Sequence, residues 1–64
     1  MIGFRVFTPP DETSKQVLIR FAEELIGFED IVEKNEGEYV LCFEDEESAR
    51  TAQWLLELNG AKGR

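Results

Sequence analysis

Histidine is absent from this chain of 64 residues, and cysteine occurs once, as Cys42. The first absence removes the usual zinc sites and every nucleophile arrangement that depends on an imidazole, and the second removes an internal disulfide. Cys42 has no evident basic neighbour and reads as a small sheet residue rather than a reactive thiol. No run of about eighteen apolar residues is present to span a membrane, and the amino-terminal MIGFRVFTPP has neither a basic stretch nor a signal-like apolar one. The expected location is the cytoplasm. Gly-rich phosphate loops and metal-ligand spacings are missing as well, and the acidic pairs at Glu23-Glu24 and Asp45-Glu46-Glu47 lack the period of a calcium loop. No catalytic residue, metal or cofactor is expected, and a chain this short has little room for a hydrolase cleft.

Positive charge is the other scarcity. Seven basic residues stand against fourteen acidic ones, a formal charge of −7. Such a balance repels nucleic acid and anionic membranes and favours encounter with basic surfaces. The acids concentrate between Glu29 and Glu47, where Lys34 is the single base, so one side of the molecule is expected to be strongly negative. A solvated, solubilising surface accounts for such a segment equally well.

What is present patterns clearly. Ile2, Phe4 and Val6 alternate with Gly3, Arg5 and Phe7, the period of a half-buried strand, which Thr8, Pro9 and Pro10 end. Thr13 and Gln16 form a capping box, after which Val17, Leu18, Phe21, Ala22 and Leu25 recur at helical spacing up to Gly27. Asp30 to Lys34 and Glu38 to Glu44 flank the turn residues Asn35, Glu36 and Gly37 and read as a hairpin. Asp45 caps a second helix that aligns Ala49, Ala52, Leu55 and Leu56 and ends at Asn59-Gly60, with Ala61 to Arg64 expected to fray. The order βαββα predicts a single α+β domain over 1–64: a three-stranded antiparallel sheet, order 1-3-2, with two helices packed on one face. A domain of this size buries only about 60% of the surface its unfolded chain exposes, so its core must be economical.

With that order, FRVFTPPDETSKQVLIRF resembles the first strand, turn and opening helix of the RNA recognition motif family, and FEDEESARTAQWLLELNG resembles its third strand and second helix. The resemblance implies a ferredoxin-like split βαβ fold, truncated because no fourth strand is legible. The family's octamer, running basic, Gly, aromatic, small, aromatic, aliphatic, any, aromatic, falls on Glu36, Gly37, Glu38, Tyr39, Val40, Leu41, Cys42 and Phe43. Gly37, Leu41 and Phe43 fit it. The positions that stack bases hold Glu38 and Val40 and the phosphate-binding one holds Glu36, which implies that the usual RNA binding is lost.

The same strand gives the functional expectation from its own residues. Tyr39, Leu41 and Phe43 meet the helices, which leaves Glu38, Val40, Cys42 and Glu44 with Arg5 and Phe7 on the open face, with alternate residues about 6.8 Å apart. A carboxylate row at that spacing could imitate phosphates. The leading expectation is therefore a non-catalytic inhibitor that presents Glu36, Glu38, Glu44, Glu46 and Glu47 to a basic, nucleic-acid-binding protein. Val40, Trp54 and Leu58 would be its apolar anchors. In size and charge it is similar to small acidic phage proteins of the anti-CRISPR and anti-restriction type. One alternative is an adaptor that binds protein through Trp54, Leu58 and the open edge of Ile2 to Phe7, an edge also able to pair with a second copy. Another is a weak nucleic-acid binder relying on Phe4, Phe7 and Tyr39. For Trp54, a role in completing the core is weighed equally.

Overall fold

The computed structural model describes residues 2–58 and, as backbone, 62–63. Its elements are β1 (Ile2–Phe7), α1 (Glu12–Glu23), β2 (Phe28–Asn35), β3 (Glu38–Phe43), α2 (Glu46–Leu58) and β4 (Lys62–Gly63). The three longer strands pair antiparallel with β3 in the middle, the expected 1-3-2 arrangement. One expectation is corrected. A fourth strand exists, two residues long, pairing Lys62 with Phe7 and Gly63 with Val6, so that the sheet order is β2-β3-β1-β4. The βαββαβ order with this pairing is the ferredoxin-like arrangement. Among the described residues, the edge of β1 is covered at Val6 and Phe7 alone. The expected end of the second helix at Asn59-Gly60 lies outside the described residues, as do Ala61 and Arg64 of the expected frayed tail.

Both helices cover the face on which alternation places Val6, Tyr39, Leu41 and Phe43, all buried. Leu18 and Ala22 from α1 and Ala49, Ala52 and Leu56 from α2 complete the core, with Phe4, Phe21, Leu25, Phe28 and Ile31 packed around it. Small residues on α2 let it lie close to the sheet. Phe43 is the aromatic centre: Phe4 stacks on it at 5.6 Å between ring centroids, and Phe28 meets it edge-on at 5.8 Å.

Two details of α1 differ from the sequence reading. Its cap is Asp11, whose carboxylate accepts from the Ser14 backbone N–H at 2.7 Å while the Ser14 hydroxyl donates back to it at 3.1 Å. Gln16 instead donates to Glu12 one turn before it. Val17, expected in the apolar stripe, is 63% exposed, because it lies about 100° around the helix from Leu18 and the sheet has room for one stripe only.

In β2 the pairing skips twice, between Phe28 and Asp30 and between Glu33 and Asn35. Each skip inserts one residue, a β-bulge, and resets which face its successors occupy. The first puts Ile31 against the core and Asp30 and Val32 on the open face. The second accompanies the tight turn at Glu36-Gly37, where Gly37 has φ +78 and Glu36 stays at negative φ. A left-handed glycine beside a bulge is a common way to close a short hairpin loop.

Gly37 is fixed from outside the hairpin as well. Its carbonyl accepts from the Thr8 backbone N–H at 2.9 Å, and a Cβ on it would lie 2.5 Å from the Thr8 carbonyl oxygen. Gly37→Ala is expected to cost about 1–2 kcal/mol for the left-handed backbone alone and more for the clash, seen as a lower urea midpoint with an unchanged slope. Phe43→Ala is expected to remove about 3–5 kcal/mol. That approaches the whole stability of a domain this size, about 3–10 kcal/mol, and loss of near-ultraviolet circular dichroism at 25 °C checks it.

Candidate protein-binding surfaces

The open face of the sheet reads in three cross-strand rows. Asn35, Glu38 and Phe7 form the first, Val32, Val40 and Arg5 the second, and Asp30, Cys42 and Gly3 the third. Their centre is apolar, with Val40 and Cys42 half-buried and Val32 exposed. Glu38 is the only carboxylate that β3 places there. Its side chain is 20% exposed and accepts a hydrogen bond from the Asn35 amide at 2.8 Å, with the Arg5 guanidinium 3.6 Å away. The expected carboxylate row is thus not formed. Glu44 lies one residue past the end of β3, where its backbone N–H donates to the Gly27 carbonyl at 2.8 Å and its side chain is exposed.

The eight residues singled out from sequence separate into two groups. Glu36, Glu38 and Val40 lie at the hairpin end and on the open sheet face; Glu46, Glu47, Trp54 and Leu58 lie on α2, with Glu44 leading into it. About 17 Å of strand separates the two ends of β3. Glu36 is exposed at the hairpin tip, beside a polar cleft of about 190 Å³ that it lines with Asp11, Glu12, Lys15, Glu33 and Tyr39. Lys15 reaches across this cleft to Glu33 at 3.1 Å, a hydrogen bond and ion pair that raise its pKa. The Tyr39 pKa is also raised, chiefly by burial. Tyr39 sits in the core and Phe4 stacks on Phe43, so of the three aromatics expected to serve a nucleic-acid binder only Phe7 is on the open face.

Trp54 is 60% exposed and Leu58 is 65% exposed; neither completes the core. Beside them is a feature the sequence reading missed: a groove of about 430 Å³ between the end of α1 and the start of α2, with Leu25, Ile26, Ala52 and Leu55 along it and Glu24 and Glu47 at its rim. Ile26 is 88% exposed. No local pattern announces the groove, because its two walls are distant in sequence. Among the described residues, no helix is long and apolar enough to cross a membrane.

Comparison with family models, with curated proteins and with solved structures returns no match.

At the start of α2 the expected cap is present. Asp45 accepts from the Ser48 backbone N–H at 2.8 Å, and this bond, aided by the Ser48 side chain, holds its carboxyl below the usual carboxylate range. A folded-state pKa below the unfolded value means that the cap stabilises the fold above the unfolded value of about 3.9 and loses that contribution as pH falls through the folded one. Asp45→Ala is expected to lower the melting temperature at neutral pH, with the gap to the parent closing as the solution is acidified. Asp45→Asn, which caps without charge, is expected to show no such closing. Paired melts from neutral to acidic pH check both.

Proposed function

We propose that this chain is a non-catalytic, acidic binding module that occupies a basic protein surface and inhibits what that surface otherwise binds. The observation that carries the reading is the use of charge. Of the five described basic side chains, Arg5, Lys15 and Arg50 are each bridged to a carboxylate, Glu38, Glu33 and Glu46. Most of the fourteen acids face solvent with no bridge among the described residues, at both ends of the sheet. An unneutralised field of this kind accelerates encounter with a basic partner and repels phosphate backbones. Nucleic-acid-binding proteins present such basic surfaces, and the nucleic acid is then the natural competitor.

A second reading, an adaptor without nucleic-acid competition, is favoured by the exposed Trp54 and Leu58. Aromatic anchors of this type bind through desolvation rather than charge.

The two separate in an affinity capture from nuclease-treated lysate. Glu36→Lys and Glu44→Lys alter exposed carboxylates at opposite ends of the sheet. Unlike Glu38, neither has a side-chain partner among the described residues. For the inhibitor, the double variant is expected to retain its fold and to lose most of a basic partner, which salt and added DNA or RNA also displace. A partner retained by the double variant at high salt, and indifferent to nucleic acid, overturns it in favour of the adaptor.

A further inference from the structure

The groove between the helices combines apolar lining with a local field of one sign. Two sources make that field negative, and a third, of opposite sign, is offset. Glu24 and Glu47 stand at its rim. The carboxyl end of α1 points toward it, with the carbonyl dipoles of the last turn aligned and Arg20 the only base in that turn. The opposite sign, which the amino terminus of α2 would supply, is cancelled by Asp45 on the Ser48 N–H and by Glu46 and Glu47 in the first turn.

On α2, Glu47, Thr51 and Leu55 follow one another at four-residue spacing, Trp54 lies three residues beyond Thr51, and Leu58 three beyond Leu55. Residues so spaced are neighbours on a helix surface. The exposed Trp54 and Leu58 therefore adjoin the groove wall on the same side of α2, with Thr51 between and carboxylates beside them. Large exposed apolar bands rimmed by polar groups mark interaction sites.

We infer that this groove is the docking site for a peptide segment of a partner protein that carries large apolar side chains flanked by Lys or Arg. The apolar side chains fill the space between Ile26 and Leu55 and pack on Trp54, and the flanking cations meet Glu24, Glu47 and the end of α1. An acidic or phosphorylated segment is repelled by the rim carboxylates and the end of α1, and a purely basic segment leaves the apolar lining unfilled. The inference rests on the reading of the chain as a protein-binding module and adds where the contact is made and by what chemistry.

Trp54 is the only tryptophan, so its emission reports on this surface directly. The test titrates the whole chain with four tryptophan-free synthetic peptides: an amphipathic Lys/Leu peptide, its scramble, a Lys-only peptide of equal charge, and a Glu/Leu peptide of equal apolarity. The expected result is a saturable blue shift with the amphipathic Lys/Leu peptide and none with the Lys-only or Glu/Leu peptides. Ile26→Ser changes a nearly fully exposed side chain and leaves the core intact. It is expected to weaken Lys/Leu binding about tenfold, and Glu47→Lys to weaken it while improving Glu/Leu binding. Val17→Thr, an exposed position on α1 outside the groove, is expected to leave the affinity unchanged.

No saturable shift, binding unaffected by Ile26→Ser and Glu47→Lys, or equal binding of the Lys-only peptide overturns the inference. Capture of a basic partner that depends on Glu36 and Glu44 while the peptides leave Trp54 unmoved removes the groove and keeps the inhibitor reading. Peptide binding in the groove with no partner sensitive to Glu36 and Glu44 does the reverse.

Discussion

The packing of Phe4 and Phe28 on Phe43 is the contact that the rest of the domain depends on. It joins all three long strands at one point, and Phe43 itself is completely buried beneath the helices. With so short a chain there is no second core to share the load. Apart from Tyr39, the other buried core residues are aliphatic: three alanines, three leucines and one valine. Small residues on α2 bring that helix close and leave its broad outer surface, including Trp54, with nothing from the core to cover it. The central aromatic cluster and the exposed tryptophan are thus two consequences of one economy, in which a narrow helix stripe suffices to roof a small sheet.

Sequence periodicity revealed the fold wherever one residue step meant one structural step. The alternation of β3 from Glu38 to Phe43 and the Asp45 cap could be read directly, and they appear as expected. β2 could be read only in part, because its two bulges each consume a residue. Phe28 and Ile31 are therefore out of phase in sequence yet face the same core. The cap of α1 was misplaced by two residues because Asp11 and Ser14 satisfy each other just before the Thr13 and Gln16 pair. β4 was invisible for a different reason: a two-residue strand is defined by backbone pairing alone and imposes no side-chain pattern.

The acidic surface shows the same limit at the level of the site. In sequence, Glu36, Glu38, Glu44, Glu46 and Glu47 form a run, and a run invites the idea of one continuous face. In space, β3 carries the chain across the whole sheet between Glu38 and Glu44, so sequence neighbours become opposite ends, and between them lie Val32, Val40 and Cys42. The charges on α2 meet a different set of companions, namely Ile26, Leu55 and Trp54. Composition fixed how much negative charge there would be; topology decided which apolar groups each part of it accompanies.

The bond from Thr8 to Gly37 has a thermodynamic consequence. It ties the exit of β1 to the tip of the hairpin, one step beyond the Phe7–Glu38 pairing, and Gly37 is buried against Thr8 and Pro10 rather than projecting into water. A hairpin tip free to sample many shapes must give up that freedom when it binds, an ordering cost that subtracts from affinity. Glu36 projects from a tip whose backbone is already restrained, so much of that loss has been incurred in folding. The hairpin meets its surroundings as a preset shape, and whatever it touches must fit that shape.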